Sequence, residues 1–144
     1  MAIKVVLADA HAALRDRVRA IVERKAKDIQ IVGEVSTGMA VLELDRQNPS
    51  DVYVIDISMS ELDGIEVTER LIKNNPKSRV IILSMYDSPE LVEKALSVGA
   101  LGYIVKRSLA EEIIHAIREV YKGGTYLSAR VTGDVVDGFL NRAG

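Results

Sequence analysis

The stretch VYVIDIS, residues 52–58, decides how the rest of the chain is interpreted. Its first four residues are apolar and the run ends abruptly at Asp56. A run that is apolar at every position suits a strand buried on both faces, as in a parallel sheet, whereas a half-exposed strand would alternate with polar residues. We therefore interpret 52–55 as a buried strand that carries Asp56 at its carboxyl end.

Four further segments have the same composition. Short runs rich in Val and Ile occupy 3–8, 29–35, 79–83 and 102–105. The longer segments between the strands place apolar residues at helical spacing. The chain thus alternates strand and helix five times, which predicts an α/β fold: a doubly wound, five-stranded parallel sheet with right-handed crossovers and helices on both faces.

The composition limits the classes of protein to consider. With 144 residues, 48% of them apolar, the chain has the size of one globular domain. The formal net charge of −2 gives no broad electrostatic reason to bind nucleic acid, so DNA contact is expected only through another domain. The absence of cysteine excludes disulfides and thiolate metal sites. No apolar run is long enough to cross a bilayer and no signal peptide is evident, so we expect a cytoplasmic protein.

Polar side chains stand where four of the predicted strands end. These residues are Asp9, Asp56, Ser84 and Lys106. Because parallel strands finish at the same edge of a sheet, we expect the four side chains to meet in one crevice. Two close carboxylates favour a cation between them, and Mg²⁺ prefers oxygen ligands. A carboxylate screened in this way can attack phosphorus, while an ammonium and a hydroxyl stabilise the phosphoryl oxygens.

At these positions residues 3–122 resemble the receiver domain of two-component response regulators, most closely the NarL/FixJ (LuxR-type) branch. The resemblance is carried by VVLAD (5–9), VIDISM (54–59), LDG (62–64), ILSM (82–85) and GALGYIVK (99–106). It implies a flavodoxin-like receiver fold with strand order 2-1-3-4-5. It also implies a phosphoacceptor signalling domain rather than an enzyme, with a sensor histidine kinase as partner and a homodimer as the assembly.

The resemblance also implies roles for single residues. Asp56 matches the phosphoacceptor, Ser84 the hydroxyl that contacts the phosphoryl group, and Lys106 its cationic anchor. Tyr103 matches the aromatic whose rotamer reports activation, so Ser84 and Tyr103 form the expected switch. When Ser84 moves toward the phosphoryl group, Tyr103 is expected to turn inward and change the face made by the fourth helix, fifth strand and fifth helix.

The metal site departs from the family pattern. Asp9 and Asp56 match acidic Mg²⁺ ligands, and Ser58 matches the position whose backbone carbonyl binds the ion. The family usually has a second acid after the first strand, which contacts the metal directly, and here that position is Ala10. Because a methyl group cannot ligate, we expect weakened Mg²⁺ binding. His11, beside it, is interpreted as a polar residue that begins the first helix, although a ligand role is the alternative.

The loop after Asp56 also departs from the pattern. Ser60 and Glu61 stand where the family commonly has proline and glycine. Because proline fixes φ and glycine permits unusual φ, the loss of both predicts a looser or reshaped loop. Glu61 could lend a carboxylate to the metal, but we interpret it as a solvated surface residue.

The predicted domain organisation is a receiver over 1–122 followed by a linker and C-terminal helix over 123–144. Gly123 and Gly124 are expected to stop the preceding helix. Apolar residues at helical spacing over 126–140 predict the terminal helix, which either packs on the receiver or connects to a DNA-binding domain absent from this chain.

Three functions are compared. The first is a regulator in which phosphorylation of Asp56 controls dimerisation and transcription through an attached LuxR-type DNA-binding domain. The second is an atypical receiver that acts as a phosphorylation-independent dimerisation or interaction module, which Ala10 favours. The third is a small phosphatase or nucleotide-binding enzyme. It is disfavoured because Ser58 replaces the second aspartate of aspartyl phosphatases and no glycine-rich phosphate loop is present.

Overall fold

The protein, in a computed structural model, is described over residues 2–129 and 131, and six strands alternate with five helices there. The strands are β1 (Ile3–Ala8), β2 (Ile29–Val35), β3 (Val52–Asp56), β4 (Val80–Ser84), β5 (Gly102–Val105) and β6 (Tyr126–Leu127). The helices are α1 (Ala12–Lys25), α2 (Gly38–Gln47), α3 (Gly64–Asn74), α4 (Pro89–Ser97) and α5 (Leu109–Tyr121). A 3₁₀ turn, Lys106–Ser108, joins β5 to α5.

The strands form one parallel sheet in the order β2-β1-β3-β4-β5-β6. The predicted α/β class, the parallel direction and the order of the first five strands are confirmed. The prediction of five strands was wrong, because Tyr126–Leu127 adds a sixth beside β5. The terminal helix predicted over 126–140 therefore does not include these two residues. Ala129 and Val131 do have helical backbone, and the rest of that predicted helix lies outside the described residues.

Side-chain alternation along the central strands divides the core into two layers. Val5 and Leu7 of β1 face α1 and α5, whereas Val6 and Ala8 face α2, α3 and α4. The same alternation runs through β3, whose five residues are all buried. Both faces of the sheet are therefore apolar and covered, which is why the strands have continuous apolar sequences. Over residues 2–129 and 131, no helix has the length and apolar character needed to span a membrane.

Two local features determine where α3 begins and where α5 ends. Asp63 is the N-cap of α3, and its side chain accepts a hydrogen bond from the Glu66 backbone N–H. After α5, Gly123 adopts φ of +93°, and the Gly124 N–H returns to the Glu119 carbonyl. A left-handed glycine with a backbone bond to an earlier turn ends a helix, so α5 stops where the sequence predicts.

One carboxylate holds the additional strand against the sheet. Glu112 of α5 accepts hydrogen bonds from the Tyr126 hydroxyl (2.7 Å), the Ser128 hydroxyl (2.5 Å) and the Ala129 N–H (3.3 Å). Ser128 Oγ in turn accepts the Val105 N–H at 2.9 Å. Burial, with the bond to Glu112, raises the pKa of Tyr126, so this phenol stays a proton donor. The edge of β5 is thus closed by side chains as well as by backbone pairing.

We expect Glu112→Ala to loosen β6 without unfolding the sheet, because it removes the acceptor of three hydrogen bonds. A bond to a charged group contributes about 1.5–3 kcal/mol, and local opening should become easier by about 1–2 kcal/mol after allowing for partial exposure. Amide hydrogen exchange at Val105 and Ser128 should accelerate by about tenfold or more.

Glu111→Ala is the matched control, since Glu111 is the exposed neighbour of Glu112 on the same helix. Equal exchange rates at Val105 in both variants would show that Glu112 does not hold the strand.

Candidate phosphoacceptor and metal site

The sheet brings the four predicted strand-end residues to one edge. Asp9 directly follows β1, Asp56 ends β3, Ser84 ends β4 and Lys106 directly follows β5. Asp9, Asp56 and Ser84 are 1%, 2% and 0% exposed, and such burial is unusual for the two carboxylates. Their burial follows from the parallel register, which places each at the carboxyl end of a central strand beneath the surrounding loops.

Lys106 joins the two aspartates. Its Nζ lies 3.0 Å from Asp9 Oδ2 and 3.1 Å from Asp56 Oδ1. Burial raises the pKa of Asp56, and the neighbouring Asp9 charge raises it further, while Lys106 acts in the opposite direction. For Lys106, burial tends to lower the pKa, but the hydrogen bond to Asp9 and the charge of Asp56 prevail, so its pKa is raised. The ammonium is therefore a permanent cation between two carboxylates.

The loop after β1 is folded around Asp9. The His11 backbone N–H donates to Asp9 Oδ1 at 2.8 Å, and His11 Nδ1 lies 3.1 Å from the same oxygen. The Arg15 guanidinium donates to the Asp9 carbonyl oxygen and also to Glu34 Oε1 at 3.3 Å. Side chain and main chain of Asp9 are thus fixed by different partners, so the carboxylate has a defined orientation.

The potential ligand atoms at this edge fit a divalent cation, although position 10 contributes no ligand. Asp9 Oδ2 is buried, and its partner among the described residues is the Lys106 ammonium at 3.0 Å. A buried carboxylate oxygen of this kind is suited to a cation. One ligand atom each from Asp9, His11 and Asp56 lie within 4.8 Å of one another. Ala10 offers no side-chain ligand.

This arrangement corresponds to a known protein family. Residues 5–118 match the family described as the response regulator receiver domain. The chain belongs to the response-regulator receiver family.

Individual relatives of this receiver support the NarL-type branch. The oxygen regulatory protein NreC of Staphylococcus carnosus is 33% identical over 142 residues, which are 98% of this chain and 65% of NreC. The chain thus spans less than two thirds of that relative. The signal receiver domain of NarL from Mycobacterium tuberculosis is 32% identical, with a TM-score of 0.80, covering 85% of this chain and 98% of that one.

A third likeness concerns the fold alone. A LuxR-family two-component response regulator from Aurantimonas sp. SI85-9A1 has a TM-score of 0.92 and covers 97% of this chain and 99% of its own. Its sequence identity is 24%.

The predicted switch residues of the receiver share one partner, Tyr86. Ser84 Oγ accepts the Tyr86 N–H at 3.0 Å, and the Tyr103 hydroxyl donates to the Tyr86 carbonyl at 2.8 Å. Tyr103 is fully buried and Tyr86 is 60% exposed. Burial raises the pKa of Tyr103, although its contact with Ser84 acts the other way. The Tyr103 ring is therefore already turned inward. Ser84 and Tyr103 are linked through the surface loop that contains Tyr86.

The loop after Asp56 carries a residue with strained backbone, and the predicted change in the shape of the loop stays a prediction. Glu61 has φ of +71° in the left-handed region, where glycine is favoured. Gly64, at the start of α3, packs so tightly that an added Cβ would lie 2.5 Å from the Asp56 carbonyl oxygen. The backbone at Glu61 thus has a conformation that glycine would adopt with less strain, and Gly64 allows α3 to begin close to Asp56.

Sequence reasoning found the strand-end residues but missed part of their surroundings. His11 is the N-cap of α1, as interpreted, yet its ring also lies beside Asp9. Arg15 and Tyr86 were not recognised, because their roles depend on contacts to backbone atoms. The Ser58 N–H donates to Asp56 Oδ1 at 3.3 Å, and the proposed role of its carbonyl stays a prediction.

We expect Glu61→Gly to stabilise this receiver, because it relieves a left-handed conformation that costs an L residue about 1–2 kcal/mol, less the entropy of a flexible glycine. A net gain of about 0.5–1 kcal/mol should appear as a higher midpoint in chemical denaturation.

Ser60→Gly is the control, since positive φ in this loop is found at Glu61 and not at Ser60. It should give no gain, and an equal gain from both variants would contradict the strain argument.

Proposed function

We propose that this receiver accepts a phosphoryl group on Asp56 from a sensor histidine kinase. The observation that carries the proposal is the buried Asp56 carboxylate with the Lys106 ammonium 3.1 Å from its Oδ1. A carboxylate at the mouth of a sheet, beside a cation that can pair with the incoming group, meets the needs of phosphoryl transfer.

In the proposed step, a carboxylate oxygen of Asp56 attacks phosphorus, and the bond between phosphorus and the donor atom breaks. The leaving group takes that electron pair, and an acyl phosphate forms on Asp56. Lys106 and Ser58 contact Oδ1, which favours Oδ2 as the attacking oxygen. The Lys106 ammonium then pairs with the phosphoryl oxygens, and the Ser84 hydroxyl donates a hydrogen bond to one of them.

Asp9, Asp56 and the Ser58 carbonyl are the proposed holders of Mg²⁺, which when bound screens charge between the carboxylates and the phosphoryl oxygens. Ala10 leaves this set one carboxylate short, so Lys106 carries a larger share of the charge neutralisation. We expect the reaction to be slower for this reason.

The surface beside the site supports a protein donor. A depression of about 370 Å³ adjoins Lys106 and is lined by His11, Ala13, Leu14, Arg17 and Met85. Met85 is 70% exposed, an unusual position for an apolar side chain next to a buried reactive group. We propose that the kinase domain that carries the phosphohistidine packs on this depression.

The proposed output is transcriptional. Residues 1–122 form the proposed receiver, and 123–144 the proposed link to a LuxR-type DNA-binding domain, consistent with the greater length of NreC. Phosphorylation would then control a homodimer. Because β6 covers the edge of β5, we favour the α1 and α5 surface over the α4 and β5 surface for that dimer.

Ala10 favours a second function, a phosphorylation-independent interaction module. Because one acid is missing, the single charge of Lys106 neutralises half of the combined charge of Asp9 and Asp56. The ion pairs of Lys106 with these two residues then hold the site together without a metal. Such a receiver would keep its fold and its dimer surface and lose its response to phosphoryl donors.

Incubation with acetyl phosphate and Mg²⁺, followed by intact-mass spectrometry, separates the two functions. We expect addition of one phosphoryl group, lost in Asp56→Asn and retained in Asp16→Asn, an exposed aspartate on α1. Absence of an adduct on the unaltered chain would favour the second function.

Ala10→Asp should restore the missing ligand, tighten Mg²⁺ binding by about tenfold or more and speed modification of Asp56. One added charge at 4 Å is worth about 4 kcal/mol at an effective dielectric constant of 20, more than the ~1.4 kcal/mol that corresponds to tenfold. Titration calorimetry measures the affinity. Equal Mg²⁺ affinity in both proteins would contradict the role assigned to position 10, and Ala13→Asp controls for added negative charge nearby.

A further inference from the structure

We propose that Glu34, acting through Arg15, is a positioning residue for the Asp9 carboxylate. The pair thereby sets the rate at which Asp56 accepts a phosphoryl group. One guanidinium, shared between the main chain of Asp9 and a carboxylate on the neighbouring strand β2, carries this inference. The inference rests on the proposed function, because it concerns the rate of that reaction.

The carboxyl end of β1 is attached to β2 at two points. The Asp9 backbone N–H donates to the Val35 carbonyl at 3.1 Å, and Arg15 Nη1 donates to the Asp9 carbonyl. Arg15 Nε donates to Glu34 Oε1 at 3.3 Å. A guanidinium presents its donors in one rigid plane, so a single side chain can hold a carbonyl and a carboxylate together. The start of α1, the end of β1 and the end of β2 are thus joined through Arg15.

This bridge is largely shielded from water. The side chains of Arg15 and Glu34 are 18% and 13% exposed, and Asp9 is 1% exposed. Partly buried charges are screened less by salt and solvent than exposed ones, so these contacts are stronger than those of a surface ion pair. Without Arg15, the Asp9 carbonyl would lose a charged donor in a place that water hardly reaches.

The main chain at Asp9 determines where its carboxylate points. The carbonyl held by Arg15 belongs to the peptide group that leads toward His11, whose N–H donates to Asp9 Oδ1 at 2.8 Å. The other carboxylate oxygen, Oδ2, lies 3.0 Å from Lys106 Nζ. If the peptide group is released, the His11 N–H can move away from Oδ1, and the carboxylate can turn away from the ammonium. A contact to the backbone therefore controls an ion pair of the reactive site.

Arg19 provides a matched comparison on the same helix. In the part of the chain that the structure describes, it contacts Glu34 at Oε2 and lies 3.7 Å from Asp16, and its ion pairs do not include Asp9. Arg15→Met and Arg19→Met each remove one positive charge and one partner of Glu34. They differ in whether the Asp9 carbonyl loses its donor.

Time courses of Asp56 labelling by acetyl phosphate in Mg²⁺, followed by intact-mass spectrometry, test the inference. Arg15→Met should slow labelling about tenfold, the scale of one hydrogen bond to a charged group. Arg19→Met should change the rate by about twofold at most, as a substitution outside the bridge to Asp9. Arg15→Lys should restore the rate only in part, because an ammonium lacks the planar fork that spans both acceptors.

A double-mutant cycle separates positioning from general electrostatics. Glu34→Leu should slow labelling about threefold or more, since Arg15 loses the carboxylate that orients it. In the Arg15→Met background, Glu34→Leu should have no further effect, because Glu34 acts through Arg15. In the Arg19→Met background, its full effect should remain. Additive effects of Glu34→Leu and Arg15→Met would contradict the route through Arg15.

The ¹³C resonance of the Asp9 carboxyl group reports its position without any phosphoryl transfer. It should shift in Arg15→Met and in Glu34→Leu and stay in place in Arg19→Met. Urea denaturation of each variant shows whether a slower rate follows from lost stability instead. Equal labelling rates in Arg15→Met and Arg19→Met, with the Asp9 resonance unmoved in both, would overturn the inference.

Failure of the proposed function has a different signature. An unaltered chain that takes no label from acetyl phosphate would overturn phosphorylation of Asp56 and with it the predicted effect on rate. The Asp9 resonance in Arg15→Met, compared with that in Arg19→Met, would still decide whether the bridge positions the carboxylate.

Discussion

One ammonium that forms ion pairs with two buried carboxylates constrains the whole carboxyl edge of the sheet. Asp9 and Asp56 sit on adjacent strands, and burial together with their mutual repulsion would drive one of them to take up a proton if no cation were present. Lys106, on the far side of β4, reaches across to both. Its reach requires β3, β4 and β5 to end in register, so the ion pairs depend on the parallel topology and also reinforce it.

Burial makes this arrangement sensitive to small changes. Removing the ammonium would leave two unpaired charges where each is almost inaccessible to water, which costs far more than loss of a surface ion pair. The backbone offers little room for adjustment, because α3 begins at Gly64 in direct contact with the Asp56 carbonyl. Position 10 lies at the rim instead, and Ala10 is exposed, so the missing acid changes the charge of the site without disturbing its packing.

The features that sequence patterns predicted are those that depend on local composition. The strands β1, β2 and β5 begin and end where their Val- and Ile-rich runs do, and the polar residue after each apolar run locates the edge. Strand β6 could not be found in this way, because two residues carry no periodicity and their position depends on Glu112, which is distant in sequence. Likewise, the proximity of His11 to Asp9 arises from the turn that the loop makes after β1.

The contacts around Tyr86 suggest how the proposed site would act at a distance. Ser84 holds the Tyr86 N–H and Tyr103 holds its carbonyl, so the loop after β4 is attached to both predicted switch residues. If Ser84 turns its oxygen toward a phosphoryl group on Asp56, the Tyr86 N–H loses its acceptor while the Tyr103 bond remains. The backbone carbonyl of Tyr103 in turn accepts the Ser128 N–H, which begins the segment after β6. A shift of β5 would therefore move the residues that lead out of the receiver, because backbone hydrogen bonds connect them to the strand. This route does not require the Tyr103 ring to leave its inward position.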